Sequence, residues 1–83
     1  MSREEIEKTV IEIVADDLYL DVKEVRSDSD IYEDLGADSL DDVEILLSLE
    51  AEFGISVPDD ELSRQKLSTI SAITDFIDNH LNA

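Results

Sequence analysis

The chain has 83 residues, 42% of them hydrophobic and 35% charged, with no cysteine; six Lys plus Arg face 23 Asp plus Glu, for a formal net charge of -17. That length suits one domain, residues 1–83, with a thin core. The charge excludes nucleic acid and anionic membrane as partners and favours basic proteins, and the missing cysteine excludes disulfides and thiolate metal sites.

The opening MSREEIEKTV carries charges where a secretion signal needs an apolar run, and no apolar stretch reaches the length of a membrane span. A cytoplasmic location is expected. From Met1 to about Leu18 the chain reads as a helix, with Ile6, Val10, Ile13, Val14 and Leu18 at helical spacing. Ser2 is its expected N-cap, with Glu4 and Glu5 in the first turn.

From about Tyr19 to Ala37 the sequence is rich in Ser and Asp and has no sustained period. A connection of this length in a small domain is often functional. Leu20, Val22, Val25, Ile31 and Leu35 are its expected core anchors, and Val22 to Val25 suggests a short turn. Gly36 offers permissive backbone before the next helix.

The second helix is expected over Ser39–Phe53, capped by Asp38, with Asp41 and Asp42 at the positive end of its dipole and Gly54 as its stop. Pro58 precedes an expected short helix from about Asp59 to Gln65. Ser68 or Thr69 then caps a last helix whose buried stripe is Ile70, Ile73, Phe76, Ile77 and Leu81. The sum is an all-α fold: a small bundle of three longer helices and one short one, with a long loop between the first two.

On a wheel at about 100° per residue, the second helix has two apolar faces. Ile45, Leu46, Leu49 and Phe53 form the core stripe, and Leu40, Val43 and Leu47 form another, bordered by Glu44, Glu50 and Ala51. Apolar residues at helical spacing are usually core. Here, burying Glu44 or Glu50 without a basic partner is costly, which favours an exposed stripe that docks against a basic, apolar groove.

Ser39 opens this helix, and serine there is most often structural. Three functional readings compete. A hydrolytic nucleophile needs a base and an oxyanion hole; the one histidine, His80, lies near the C-terminus, and GADSL lacks the second glycine of a nucleophile elbow. A calcium loop starting at Asp28 places Tyr32 at the fifth position, Glu33 where glycine is needed and Ser39 where a bidentate Glu belongs. A modification site uses a solvent-facing hydroxyl beside free helix N–H groups, where an attached phosphate is welcome. The third reading alone uses the serine, the stripe and the charge together. No catalytic residue and no metal site are expected.

The run DLGADSLDDVEILLSLEAEFG closely resembles the signature of the acyl carrier protein family, with Asp38-Ser39-Leu40 at its centre. The likeness extends to the N-terminal amphipathic helix, to Ile31–Gly36, to the Pro58-Asp59 turn and to Phe76-Ile77. It implies a four-helix bundle without intrinsic catalysis, in which a phosphopantetheinyl transferase attaches 4'-phosphopantetheine to Ser39 and the arm's thiol carries acyl groups as thioesters. It also implies that Asp38, Leu40, Asp41, Val43, Glu44, Leu47 and Glu50 meet partners, namely the transferase and fatty acid synthase or related acyl-processing enzymes with basic docking patches. Of the acidic residues Glu50 is a weaker candidate, as are Asp60 and Glu61 of the short third helix. The carrier is expected to be a monomer. The alternatives are a specialised carrier for a polyketide, peptide or lipid A type pathway, or an unmodified acidic interaction module. Three departures stand out, one of them Asp42, which lies near the core stripe and is expected to point into the long loop rather than into the bundle. Tyr19 replaces a glycine that often follows the first helix, and the segment from Pro58 to Thr69 is longer than in the commonest bacterial form.

Overall fold

The computed structural model describes residues 1–56 and 68–82. Its helices are α1 (Arg3–Asp17), α2 (Ser39–Phe53) and α3 (Ile70–Asn82), with a 3₁₀ turn at Val22–Glu24. Among the described residues the β pairing amounts to one isolated bridge, Asp30 to Thr69. The all-helical class and the three longer helices agree with the sequence reading. The short helix expected over 59–65, together with the turn at Pro58 and with Asp60 and Glu61, lies outside the described residues.

Helix α1 starts where local chemistry tells it to. The Ser2 hydroxyl accepts from the Glu5 amide at 3.2 Å, and the Glu5 carboxylate accepts from the Ser2 amide at 3.1 Å. This reciprocal pair satisfies two groups that a bare helix start leaves open. Ile6, Val10, Val14 and Ala15 are buried, and Ile13 and Leu18 pack half-buried against them. Just past the helix, Tyr19 stands in the left-handed region at φ 59° and is 96% exposed. A tyrosine therefore occupies backbone that glycine adopts at no steric cost.

The loop from α1 to α2 is anchored. Asp21 caps the 3₁₀ turn by accepting from the Lys23 amide at 2.9 Å. Val25 and Ile31 are buried, and Leu20 and Leu35 are half-buried. Val22 departs from expectation: it is 49% exposed. The backbone leaves 3₁₀ geometry at Val25 (φ -110°, ψ 120°), which sends that valine inward and leaves Val22 on the outer side.

Further along, the loop is sewn to the start of α3. Ile31 N–H donates to the Ser68 carbonyl (2.8 Å), Ile70 N–H to the Ser29 carbonyl (3.1 Å) and Ser71 N–H to the Ser27 carbonyl (2.8 Å). The Thr69 hydroxyl accepts from the Ala72 amide at 3.1 Å, so Thr69 rather than Ser68 is the cap. The first three amides of α3, which no helix can satisfy from within, thus all have partners. Ile70, Ile73, Thr74 and Ile77 are buried, with Phe76 and Leu81 half-buried at the margin of the stripe.

Helix α1 packs against both α2 and α3. The Ser48 hydroxyl donates to Asp17 at 2.9 Å, tying the middle of α2 to the end of α1. Arg3 pairs with Asp75 at 2.8 Å and with Glu7 at 3.2 Å, joining the start of α1 to α3. These pairs lie at the surface, so their net contribution is small.

Candidate functional site

The approach to Ser39 is fixed residue by residue. Gly36 takes φ 76° and donates to the Tyr32 carbonyl at 3.1 Å; Ala37 is buried and donates to the Ile31 carbonyl at 2.8 Å. The chain then opens into extended backbone at Asp38, whose carboxylate accepts from the amides of Leu40 (3.0 Å) and Asp41 (2.9 Å). Asp41 returns the favour by accepting from the Asp38 amide at 3.0 Å. The hydrogen bond from the Asp41 amide, followed by the one from Leu40, holds the Asp38 carboxyl below its ordinary range.

Ser39 is the first residue of α2 and is exposed. Its hydroxyl makes no hydrogen bond among the described residues. The amide environment differs from expectation in one respect. The sequence suggested free N–H groups beside the serine, but Asp38 already occupies those of Leu40 and Asp41. A group attached at Ser39 meets the helix dipole with a carboxylate already seated over its first turn.

The two faces of α2 separate as the wheel indicates. Ile45, Leu46, Leu49 and Phe53 are buried, whereas Leu40, Val43 and Leu47 are 74%, 54% and 58% exposed. Along that second stripe Glu44 and Ala51 are exposed, and Asp41 and Glu50 are half-buried. Gly54 ends the helix at φ 65° and donates to the Glu50 carbonyl at 2.9 Å. The structure thus presents an exposed hydroxyl, an apolar ridge and a carboxylate border on one helix.

Asp42 turns toward the loop, as expected from its place beside the core stripe, but its partner there was not legible in the sequence. The Tyr32 phenol donates to the Asp42 carboxylate at 2.5 Å, which points Asp42 toward the loop. Burial, then the bond to Asp42, pushes the Tyr32 phenol well above its ordinary pKa. The loop itself is held by Asp30, which accepts from the amides of Tyr32 (2.8 Å) and Glu33 (3.0 Å). The bond from Glu33, then one from the Ser68 hydroxyl, draws the Asp30 carboxyl down. A carboxylate bonded to amides two and three residues on is a turn signal present in the sequence. The pairing of Tyr32 with Asp42 has no such local sign.

Machinery for hydrolysis is not assembled around Ser39. His80 is exposed on α3, with Nδ1 3.1 Å from the Phe76 carbonyl and its ring centroid 4.4 Å from that of Phe76. Among the described residues no group of three or more His, Asp or Glu side chains is placed to hold a metal ion. None of the described helices is long and apolar enough to cross a membrane.

Comparison with known proteins gives the geometry a family. The profile described as "Phosphopantetheine attachment site" matches residues 8–77. The chain is 45% identical over 83 residues to an acyl carrier protein of Thermosynechococcus vestitus, covering 100% of both chains. It is 42% identical over 83 residues to that of Rubrobacter xylanophilus, again covering 100% of both. Over 77 residues it is 42% identical to that of Porphyromonas gingivalis, covering 93% of this chain and 96% of the relative. A profile match from the middle of α1 through α2 and into α3, together with identity at this level along the full length, means that the chain belongs to the acyl carrier protein family, whose members are carriers rather than enzymes and bear 4'-phosphopantetheine covalently.

Proposed function

We propose that residues 1–83 form one carrier domain in which the Ser39 oxygen holds the phosphopantetheine arm, and that the arm's thioesters serve fatty acid biosynthesis in the cytoplasm. The observation that carries this reading is the exposed Ser39, unbonded among the described residues, at the start of a helix whose Leu40–Val43–Leu47 stripe is also exposed. When bound, the arm supplies a flexible thiol that this cysteine-free chain lacks. The protein's own residues do the rest. Asp38 fixes the backbone on either side of Ser39, so the hydroxyl is presented in one place to a phosphopantetheinyl transferase.

Leu40, Val43 and Leu47 form the apolar seat for partner enzymes, and Asp38, Asp41, Glu44 and Glu50 form its acidic border. The carboxylates steer the carrier toward basic patches, and the ridge sets the register. A small interface of this kind releases quickly, as a carrier visiting several enzymes in turn requires. The carrier acts as a monomer. The dense acidic border of α2 favours fatty acid synthesis over a specialised polyketide or peptide pathway.

Intact mass after co-expression with a phosphopantetheinyl transferase tests the attachment. The wild-type chain gains the mass of one phosphopantetheine, and Ser39→Ala gains none while keeping a normal helical circular dichroism spectrum. An unchanged wild-type mass would instead mark the chain as an unmodified interaction module.

A further inference from the structure

Helix α1 carries a second surface that shares no residue with the α2 stripe. Glu4, Glu7, Lys8, Ile11 and Glu12 recur at intervals of three and four and so share one face of the helix. On the wheel that face lies roughly 130° from the line of Ile6, Val10 and Val14. Val22, from the 3₁₀ turn, stands opposite, and together these residues enclose a groove of about 320 Å³. Its floor is apolar. Ile11 is half-buried against the core, and Val22 is the valine that the loop turns outward, 49% exposed.

The rim has a definite sign: three carboxylates against the single ammonium of Lys8. Arg3 takes up Glu7 at 3.2 Å, while Glu4 and Glu12 have no hydrogen bond or ion pair among the described residues. Nucleic acids and lipid carboxylates meet repulsion there, from the rim and from the net charge of -17.

We propose that this groove docks a cationic amphipathic helix of a partner protein. One large aliphatic side chain enters between Ile11 and Val22, and Lys or Arg one turn to either side reaches Glu4 and Glu12. The span from residue 4 to residue 12 is about 12 Å of helix, room for two turns of a partner laid alongside. The small apolar floor makes the contact weak and charge-dependent, at the low end of specific interfaces. Because the groove and the α2 stripe are separate, a tethering partner can hold α1 while α2 remains available to an enzyme.

The test uses the full-length carrier and a synthetic amphipathic Lys/Leu peptide of about 18 residues, long enough to form a helix. Methyl and amide NMR shifts report the site, and a Gln/Leu peptide of the same pattern is the neutral control. At low salt the Lys/Leu peptide shifts Ile11 and Val22. Glu12→Lys and Val22→Lys weaken that response roughly fivefold or more without altering shifts at Leu40, Val43 and Leu47. Leu47→Lys, on the other stripe, does the reverse. Shifts confined to α2 overturn the proposal. So do Ile11 shifts that survive both the Glu12→Lys and the Val22→Lys substitution, or that the Gln/Leu peptide produces equally well. The outcome is independent of loading at Ser39, so a failure here leaves the attachment reading standing.

Discussion

At the scale of single residues, two backbone positions explain much of the local behaviour. Tyr19 holds φ 59° with its ring 96% exposed, so it gains little packing to offset an unfavourable conformation. Tyr19→Gly is expected to raise stability by about 1 kcal/mol, read as a higher urea midpoint, with the freedom glycine adds to the unfolded chain opposing part of the gain. Asp38 acts through its charge as well as its shape. Its folded carboxyl lies below the ordinary carboxylate range, so it contributes stability above the unfolded pKa and loses it as pH falls through the lowered folded value. Asp38→Asn keeps an acceptor for the Leu40 and Asp41 amides but has no proton to gain. Melting curves across the acid range are therefore expected to show wild type ahead at neutral pH and the two converging as Asp38 protonates.

At the scale of elements, the signals that could be read were local ones. Helix α2 ran from Ser39 to Phe53 as expected, because Asp38 and Gly54 mark its ends chemically and its two stripes follow a period of 3.6. The cap of α1 at Ser2 was legible for the same reason. The loop was only half legible. Its apolar residues announced themselves, but without a period they carry no direction; Val25 and Ile31 went in and Val22 went out. The Tyr32–Asp42 bond and the seam from Ser27–Ile31 to Ser68–Ser71 join segments that are separate in sequence, so no window of residues contains them. Ile31 shows how much this loop resembles core. It is fully buried, and its amide and carbonyl are both used, by Ser68 and Ala37. Ile31→Ala is expected to cost about 3 kcal/mol, a value typical of a core helix residue, measurable by chemical denaturation. A loss below about 1 kcal/mol would mean that the site collapses around the missing atoms.

At the scale of the whole molecule, a net charge of -17 on 83 residues governs both association and stability. Self-repulsion works against compactness, and mobile ions screen it over a Debye length of about 10 Å at 0.1 M salt. Raising sodium chloride, or adding millimolar magnesium, is therefore expected to raise the melting temperature, and a flat series would rule out repulsion as a factor. The same screening weakens docking on either acidic surface, so stability and partner binding should respond to salt in opposite directions.

Connections between helices usually tolerate insertions and deletions, since their span can change without disturbing what they join. The stretch from Ser27 to Asp38 cannot behave that way. Its early carbonyls finish the N-terminus of α3 and its final carboxylate begins α2, so one added residue would shift the register of two helices at once. Length in this segment is as constrained as composition is in the core.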